Sequence, residues 1–175
     1  MAEEARTGAC NELSYPLRCM SPQAGHHCCG LSLSFQVPLS IIMPVLDEAG
    51  NIAAALQELR PLRARGVEVI VADGGSRDGT VGIALPLADQ VVPAPRGRAL
   101  QMNAGASEAR GDALLFLHAD TRLPPEADAI IARALATHSW GRFDVRIEGA
   151  PLLLPLVAAM MNLRSRITGI ATGDQ

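Results

Sequence analysis

Between residues 39 and 147, short apolar segments alternate with longer segments in which apolar side chains recur every three or four positions. The short segments predict β-strands at 39–45, 67–72, 90–92, 113–118 and 142–147, and the longer ones predict helices at 51–63, 80–87, 98–109 and 124–137. Pro61 is expected to end the first of these helices early. Strands that alternate with helices of this length form parallel sheets with right-handed crossovers. We therefore expect an α/β fold built on a mostly parallel sheet.

Two of the predicted strands lead directly to acidic residues. The second strand is followed by Asp73 and Gly74, and the fourth ends at His118, two residues before Asp120. Open α/β sheets bind ligands beyond the carboxyl ends of their strands, and a glycine lets backbone and ligand approach closely. These positions predict a ligand site at that end of the sheet. The structural alternative for Asp73 is a turn-capping aspartate.

Arginine dominates the basic residues. All fifteen of them are arginine, which excludes a phosphate-loop lysine, a pyridoxal Schiff base and a lysine nucleophile. Arg96 and Arg98 flank a glycine where a short strand passes into a helix, and guanidinium forks beside a helix start are suited to a diphosphate. A dinucleotide fingerprint is excluded, because no G-x-G-x-x-G opens a helix.

Asp120 is the candidate metal ligand. Hard ions such as Mg²⁺ or Mn²⁺ prefer oxygen ligands, and a carboxylate beside a diphosphate supplies one. His118 lies on the same face of a strand of period two. We expect it to contact a phosphate or a ribose hydroxyl, or to line the strand end structurally.

Three motifs in this order resemble glycosyltransferase family 2, in particular the small bacterial branch with His-Ala-Asp in place of Asp-x-Asp. They lie at 44–52, 73–80 and 118–121, and the resemblance covers residues 39–175. It implies a three-layer nucleotide-diphospho-sugar transferase (GT-A-like) fold. It also implies an inverting, metal-assisted transfer of a sugar from a UDP- or GDP-sugar to an acceptor hydroxyl.

The resemblance assigns roles to the matching positions on the nucleoside side. Pro44, Asp47 and Glu48 are expected to border the nucleoside. Asp73, followed by Gly74, is expected to meet the base.

On the diphosphate and acceptor side, the resemblance places Arg96 and Arg98 near the diphosphate and His118 within the donor site. Asp120 would hold the metal, and Asp174 is the candidate catalytic base. Family members continue beyond this last motif, so the domain is expected to be incomplete at its C-terminus. A nucleotidyltransferase-like enzyme and a truncated, non-catalytic nucleotide-sugar-binding module remain the alternatives.

The two ends of the chain carry separate expectations. Residues 1–37 hold all four cysteines without helix or strand period, and they predict a poorly ordered extension before a domain at 38–175. The apolar run at 150–161 is too short to cross a bilayer. With the arginines that follow, it suggests a lipid-linked acceptor and peripheral membrane contact through 150–166, or else packing or a protein contact.

Net charge and targeting signals indicate which partners and which cellular location to expect. The net charge of −3 gives no reason to expect a nucleic-acid partner. No secretory signal pattern opens the chain, and the cysteines do not demand an oxidising compartment. A cytoplasmic location is expected, with attachment to the inner face of the cell membrane as an extension of it.

Overall fold

A computed structural model describes residues 18–19, 38–144 and 154–168. It divides into two compact units, one formed by residues 26–136 and the other by residues 1–25 with 137–175. The strands are β1 (Arg18–Cys19), β2 (Leu39–Val45), β3 (Glu68–Asp73), β4 (Gln90–Pro93), β5 (Ala113–Phe116) and β6 (Gly141–Arg142). The helices are α1 (Ile52–Glu58), α2 (Arg60–Ala64), α3 (Thr80–Ala84), α4 (Arg98–Glu108), α5 (Ala127–Leu135) and α6 (Leu154–Thr168).

The larger unit is built on a parallel sheet with the strand order β4-β3-β2-β5. β2 pairs with β3 on one side, with Val45 opposite Asp73, and with β5 on the other, with Ile42 opposite Phe116. The chain therefore moves outward from β2 to β4 and then returns across the sheet to place β5 beside β2. This reversal creates the crevice in which open α/β sheets bind ligands.

Helices cover both faces of this sheet. All seven residues of β2 are buried, which requires cover on each side of a pleated strand. α4 approaches one face so closely that a Cβ on Gly105 would lie 2.5 Å from Ile42 Cγ2. Because right-handed crossovers in opposite directions place their helices on opposite faces, α1 and α3 lie on the other face. The expected three-layer α/β fold with a parallel sheet is confirmed.

The observed elements differ from the predicted ones at their ends. The helix predicted at 51–63 is divided at Leu59, with Pro61 in the first turn of α2, because a proline lacks the N–H that a continuous helix would use. The helix predicted at 124–137 is confined to α5. Of the strand predicted at 142–147, only Arg142 is in β6, which pairs antiparallel with β1. Positions 145–147 lie outside the described residues, as does the predicted extension except for residues 18–19.

The smaller unit contains α6, which covers part of the apolar run predicted at 150–161. Ala158 is buried, whereas the side chains of Val157, Met160 and Leu163 are exposed. Across the described ranges, no helix has the length and apolar character needed to cross a membrane. Residues 150–153 lie outside those ranges.

Candidate functional site

The loops that follow β2 and β3 are joined by hydrogen bonds between side chains and backbone. Three consecutive backbone N–H groups, at residues 47, 48 and 49, donate to side chains of the loop after β3 and of the first residue of α3. Their acceptors are, in order, Ser76 Oγ at 2.9 Å, Thr80 Oγ1 at 2.8 Å and Asp78 Oδ2 at 2.9 Å. We call these three acceptor side chains, with the hydrogen bonds they accept, the loop clasp. The acidic motif after β3 therefore has a structural task, because it shapes the neighbouring loop.

Asp47 has a left-handed backbone, with φ at +57°. This conformation costs an L-residue about 1–2 kcal/mol, so it persists where surrounding contacts hold it. The loop clasp supplies such contacts, and Asp47 Oδ1 also accepts a hydrogen bond from the Arg77 N–H at 2.8 Å. One carboxylate oxygen of Asp47 is thus part of the link between the two loops.

Asp73 closes the turn that follows β3. Its side chain is buried, and Oδ2 accepts from the backbone N–H groups of Gly75 at 3.0 Å and Ser76 at 3.2 Å. The turn-capping alternative is therefore observed. The expected contact between Asp73 and a base stays a prediction.

Gln101 is a site residue that sequence reasoning did not single out. Its buried side-chain Nε2 donates to Val45 O at 2.5 Å and to Ala72 O at 3.1 Å, so it holds the carboxyl ends of two strands. A Cβ on Gly74 would lie 2.8 Å from this Nε2, and the glycine is needed for that close approach. The available signal was a polar residue four positions before Gly105, on the helix face that meets the sheet.

Charged groups from three elements converge on His118. Burial lowers the pKa of His118 and the charge of Arg98 lowers it further, while the carboxylates of Asp120 and Glu48 act in the opposite direction; the net pKa lies below its ordinary value. Glu48 follows β2, Arg98 opens α4 after β4, and His118 and Asp120 follow β5. The structure therefore brings four of the predicted positions together at the carboxyl end of the sheet.

The strand order separates the two acidic strand ends. β3 and β5 flank β2, so the strands that lead to Asp73 and Asp120 lie about 10 Å apart, twice the ordinary strand spacing. Asp73 and Asp120 therefore follow strands on opposite sides of β2.

Residues 40–147 match the family model described as Glycosyl transferase family 2. This stretch is more than half of the chain. The chain belongs to glycosyl transferase family 2.

The family 2 domain is similar to parts of longer proteins. It is 47% identical over 51 residues to the succinoglycan biosynthesis protein ExoA of Rhizobium meliloti (strain 1021), a match that covers 29% of this chain and 16% of that protein. The solved mannosyltransferase PcManGT from Pyrobaculum calidifontis, in complex with GDP-Man and Mn²⁺, is 26% identical with a TM-score of 0.51. That match covers 56% of this chain and 32% of the mannosyltransferase. The family match and this structure confirm the GT-A-like fold.

Asp120 is the residue of the family 2 domain that is expected to bind a metal ion. Asp120 is exposed beyond β5, and its Oδ1 accepts a hydrogen bond from the Thr121 hydroxyl at 3.2 Å. Within the part of the chain that the structure describes, no three His, Cys, Asp or Glu side chains form a metal-binding group. A single carboxylate fits an ion such as Mg²⁺ or Mn²⁺ that takes its other ligands from phosphates and water.

The remaining predicted site residues differ in their surroundings. Arg96 and Arg98 are exposed, and α4 begins at Arg98, as expected for a diphosphate cradle. Pro44 is buried within β2. Asp174 lies outside the described residues. The ligand contacts of all four stay predictions.

Proposed function

We propose that this family 2 domain binds a nucleotide-diphospho-sugar, a UDP- or GDP-sugar, with Mg²⁺ or Mn²⁺ and transfers its sugar with inversion to an acceptor hydroxyl. The observation that carries the proposal is the placement of Glu48, Arg98, His118 and Asp120 beyond the carboxyl ends of strands of one parallel sheet. The similarity to a mannosyltransferase in complex with GDP-Man and Mn²⁺ supports it.

The arginines receive the diphosphate of the donor. Arg98 opens α4, where backbone N–H groups and the helix dipole favour an anion. Its guanidinium, with that of Arg96, pairs with phosphate oxygens in the bidentate geometry that lysine lacks. These groups stabilise the negative charge that grows on the diphosphate as it leaves.

His118 and Asp120 complete the donor site. A divalent ion, when bound, neutralises charge on the diphosphate as a Lewis acid. Asp120 would contribute one carboxylate ligand to this ion. A ring N–H of His118 donates a hydrogen bond to a phosphate or ribose oxygen of the donor.

Asp174 is the proposed base for a single displacement. It accepts the proton of the acceptor hydroxyl, whose oxygen attacks the anomeric carbon from the face opposite the diphosphate. The bond to the diphosphate breaks, its electron pair stays with the leaving group, and the configuration inverts. General base catalysis of this kind contributes about 10²–10⁴-fold.

The acceptor is proposed to be lipid-linked and reached from the cytoplasmic face of a membrane. Support comes from α6, on which Val157, Met160 and Leu163 are exposed and Arg164 follows. Apolar side chains beside cations suit an interface with anionic lipids.

Thermal denaturation of the 175-residue chain tests the donor site. We expect UDP or GDP, and the corresponding sugar nucleotides, to raise Tm in the presence of Mn²⁺. A larger increase with UTP or GTP would instead favour a nucleotidyltransferase-like enzyme. Binding of sugar nucleotides without transfer or hydrolysis would indicate a non-catalytic binding module. A Tm that no nucleotide changes would contradict the donor site.

A further inference from the structure

The loop between β2 and α1 is held in an unfavourable conformation by side chains from another loop. Asp47 has its left-handed backbone in this segment, and each of the N–H groups at 47–49 donates to one member of the loop clasp. A strained backbone that several contacts hold in place is typical of a functional site. The question is which contact controls the loop and what the loop presents.

Thr80 is the centre of the loop clasp. Its side chain is fully buried, and Oγ1 accepts from the Glu48 N–H at 2.8 Å while donating to Asp78 Oδ1 at 2.5 Å. The second oxygen of Asp78 accepts from the Ala49 N–H. One threonine hydroxyl therefore both fixes the backbone of Glu48 and orients the carboxylate that fixes the next residue.

Glu48 is the residue that this arrangement presents to the site. Its Oε2 accepts from Asn51 Nδ2 at 2.9 Å, so the carboxylate is held as well as the backbone. Glu48 lies directly beyond the carboxyl end of β2, an inner strand of the sheet, at the end where the donor site is proposed. Contacts of Thr80 are thus transmitted to the site through Glu48.

We propose that Thr80 is a positioning residue for the nucleotide-diphosphate donor, acting through the backbone of Glu48. Without its hydroxyl, the Glu48 N–H loses a buried partner, and the loop relaxes from its left-handed conformation. The inference rests on the proposed donor site, because it concerns the affinity of that site. A purely structural threonine would change the free energy of unfolding and leave the affinity of the folded protein unchanged.

Calorimetric titration of the full chain with GDP and with UDP, in the presence of Mn²⁺, tests the inference. Thr80→Val keeps the shape and removes the hydroxyl, and we expect affinity to fall about tenfold, the order set by the loss of one buried hydrogen bond. Thr80→Ser keeps the hydroxyl and should bind within about twofold of the wild type. All titrations are made at a temperature at which circular dichroism shows each variant folded.

Ser76→Ala provides a second measurement if Thr80→Val does not fold. Ser76 is only half-buried, and its hydroxyl accepts from the Asp47 N–H of the same loop. Ser107→Ala is the matched control, because that exposed hydroxyl bonds a carbonyl within α4. We expect weaker binding by Ser76→Ala and unchanged binding by Ser107→Ala.

The outcomes separate the inference from the proposed function. Wild-type affinity in a folded Thr80→Val protein overturns the inference alone. If Thr80→Val does not fold, equal affinity in Ser76→Ala and Ser107→Ala overturns it. A wild-type chain that binds neither nucleotide overturns the donor site and with it the inference.

Discussion

The two ends of the parallel sheet both carry acidic side chains, but their partners differ. At the amino end, Glu68 pairs with the Arg110 guanidinium at 2.7 Å and accepts from the Ser40 hydroxyl at 2.5 Å. At the carboxyl end, Asp120 accepts from the neutral Thr121 hydroxyl and Glu48 from the amide of Asn51. A carboxylate that a guanidinium already holds is a structural group. A carboxylate that accepts hydrogen bonds from neutral groups carries a negative charge that these donors do not neutralise, so it is suited to binding a cation.

The pKa of Glu68 reflects this difference. Burial raises the pKa, but hydrogen bonds from the Arg110 N–H, the Ser40 hydroxyl and the Arg110 guanidinium outweigh it and hold the pKa below its ordinary value. The Ser40 hydroxyl in turn accepts from the Gly111 N–H at 2.9 Å. The amino end is therefore a closed set of partners, which stabilises the fold.

The largest expected effect is at the carboxyl end. Asp120→Ala should weaken the binding of GDP or UDP about 100-fold in the presence of Mn²⁺, because it removes the one proposed protein ligand of the ion. The gain in affinity that Mn²⁺ provides should therefore be lost. Titrations with and without Mn²⁺ measure this gain. Asp112→Ala, which removes an exposed carboxylate just before β5, is the control. An unchanged gain in Asp120→Ala would show that the metal ligand lies elsewhere.

Alanine substitutions of two glycines test the two ends of the parallel sheet, because an added Cβ would clash with a neighbouring group at each end. A Cβ on Gly111 would lie 2.7 Å from the backbone N of Ser40, so Gly111→Ala should reduce the free energy of unfolding by about 2 kcal/mol. Gly74→Ala would displace the Gln101 amide and should cost about 1 kcal/mol, together with nucleotide affinity.

Denaturant unfolding and nucleotide titration of both glycine variants give the two quantities. Gly82→Ala is the control for steric effects, because nothing lies within 4 Å of the added Cβ; alanine is also the better helix former in α3, so neither stability nor affinity should fall. Loss of affinity in Gly111→Ala but not in Gly74→Ala would reverse the assignment of the two ends.

Glu68→Gln should have a smaller effect, confined to stability. It exchanges the partner of the exposed Arg110 guanidinium for a neutral amide, and we expect a loss of about 1 kcal/mol in the free energy of unfolding. Urea denaturation measures the loss, and calorimetry should show wild-type nucleotide affinity. A variant of normal stability but weakened binding would refute the structural role of Glu68.

The pH dependence of stability should show the smallest effect. Because the pKa of Glu68 is lower in the folded protein than its ordinary 4.5, its stabilising contribution is present above pH 4.5 and is lost as pH falls through the folded pKa. Glu68→Gln should therefore lose less stability than the wild type over this acidic range. Urea midpoints measured at each pH give the stability of the two proteins. If their stabilities fell in parallel with pH, the linkage to Glu68 would be contradicted.

The acidic residues at the carboxyl end of the sheet could be predicted, because their placement depends on local sequence signals. An apolar run that stops at Asp73, and a second that leads to His118 and Asp120, is sufficient to place acidic groups at the carboxyl end of parallel strands. The bounds of α4 were also close to prediction, although its buried positions are Gln101 and Gly105 and Leu100 is exposed, so its apolar pattern did not identify the face that meets the sheet. The interruption of the first helix by Pro61 was expected, whereas its resumption as α2 was less accessible, because it depends on the tolerance of the first turn of a helix for a proline.

The sequence by itself determined the α/β class, the acidic strand ends and the resemblance to family 2, because these depend on periodicity and short motifs. Only the tertiary structure decided that Thr80 and Ser76 serve the loop after β2, and that Gln101 ties two strands together. Those contacts join residues 29 to 56 positions apart. Such pairs become neighbours only when parallel strands are placed side by side, and no local pattern encodes which carbonyl or N–H each side chain will meet.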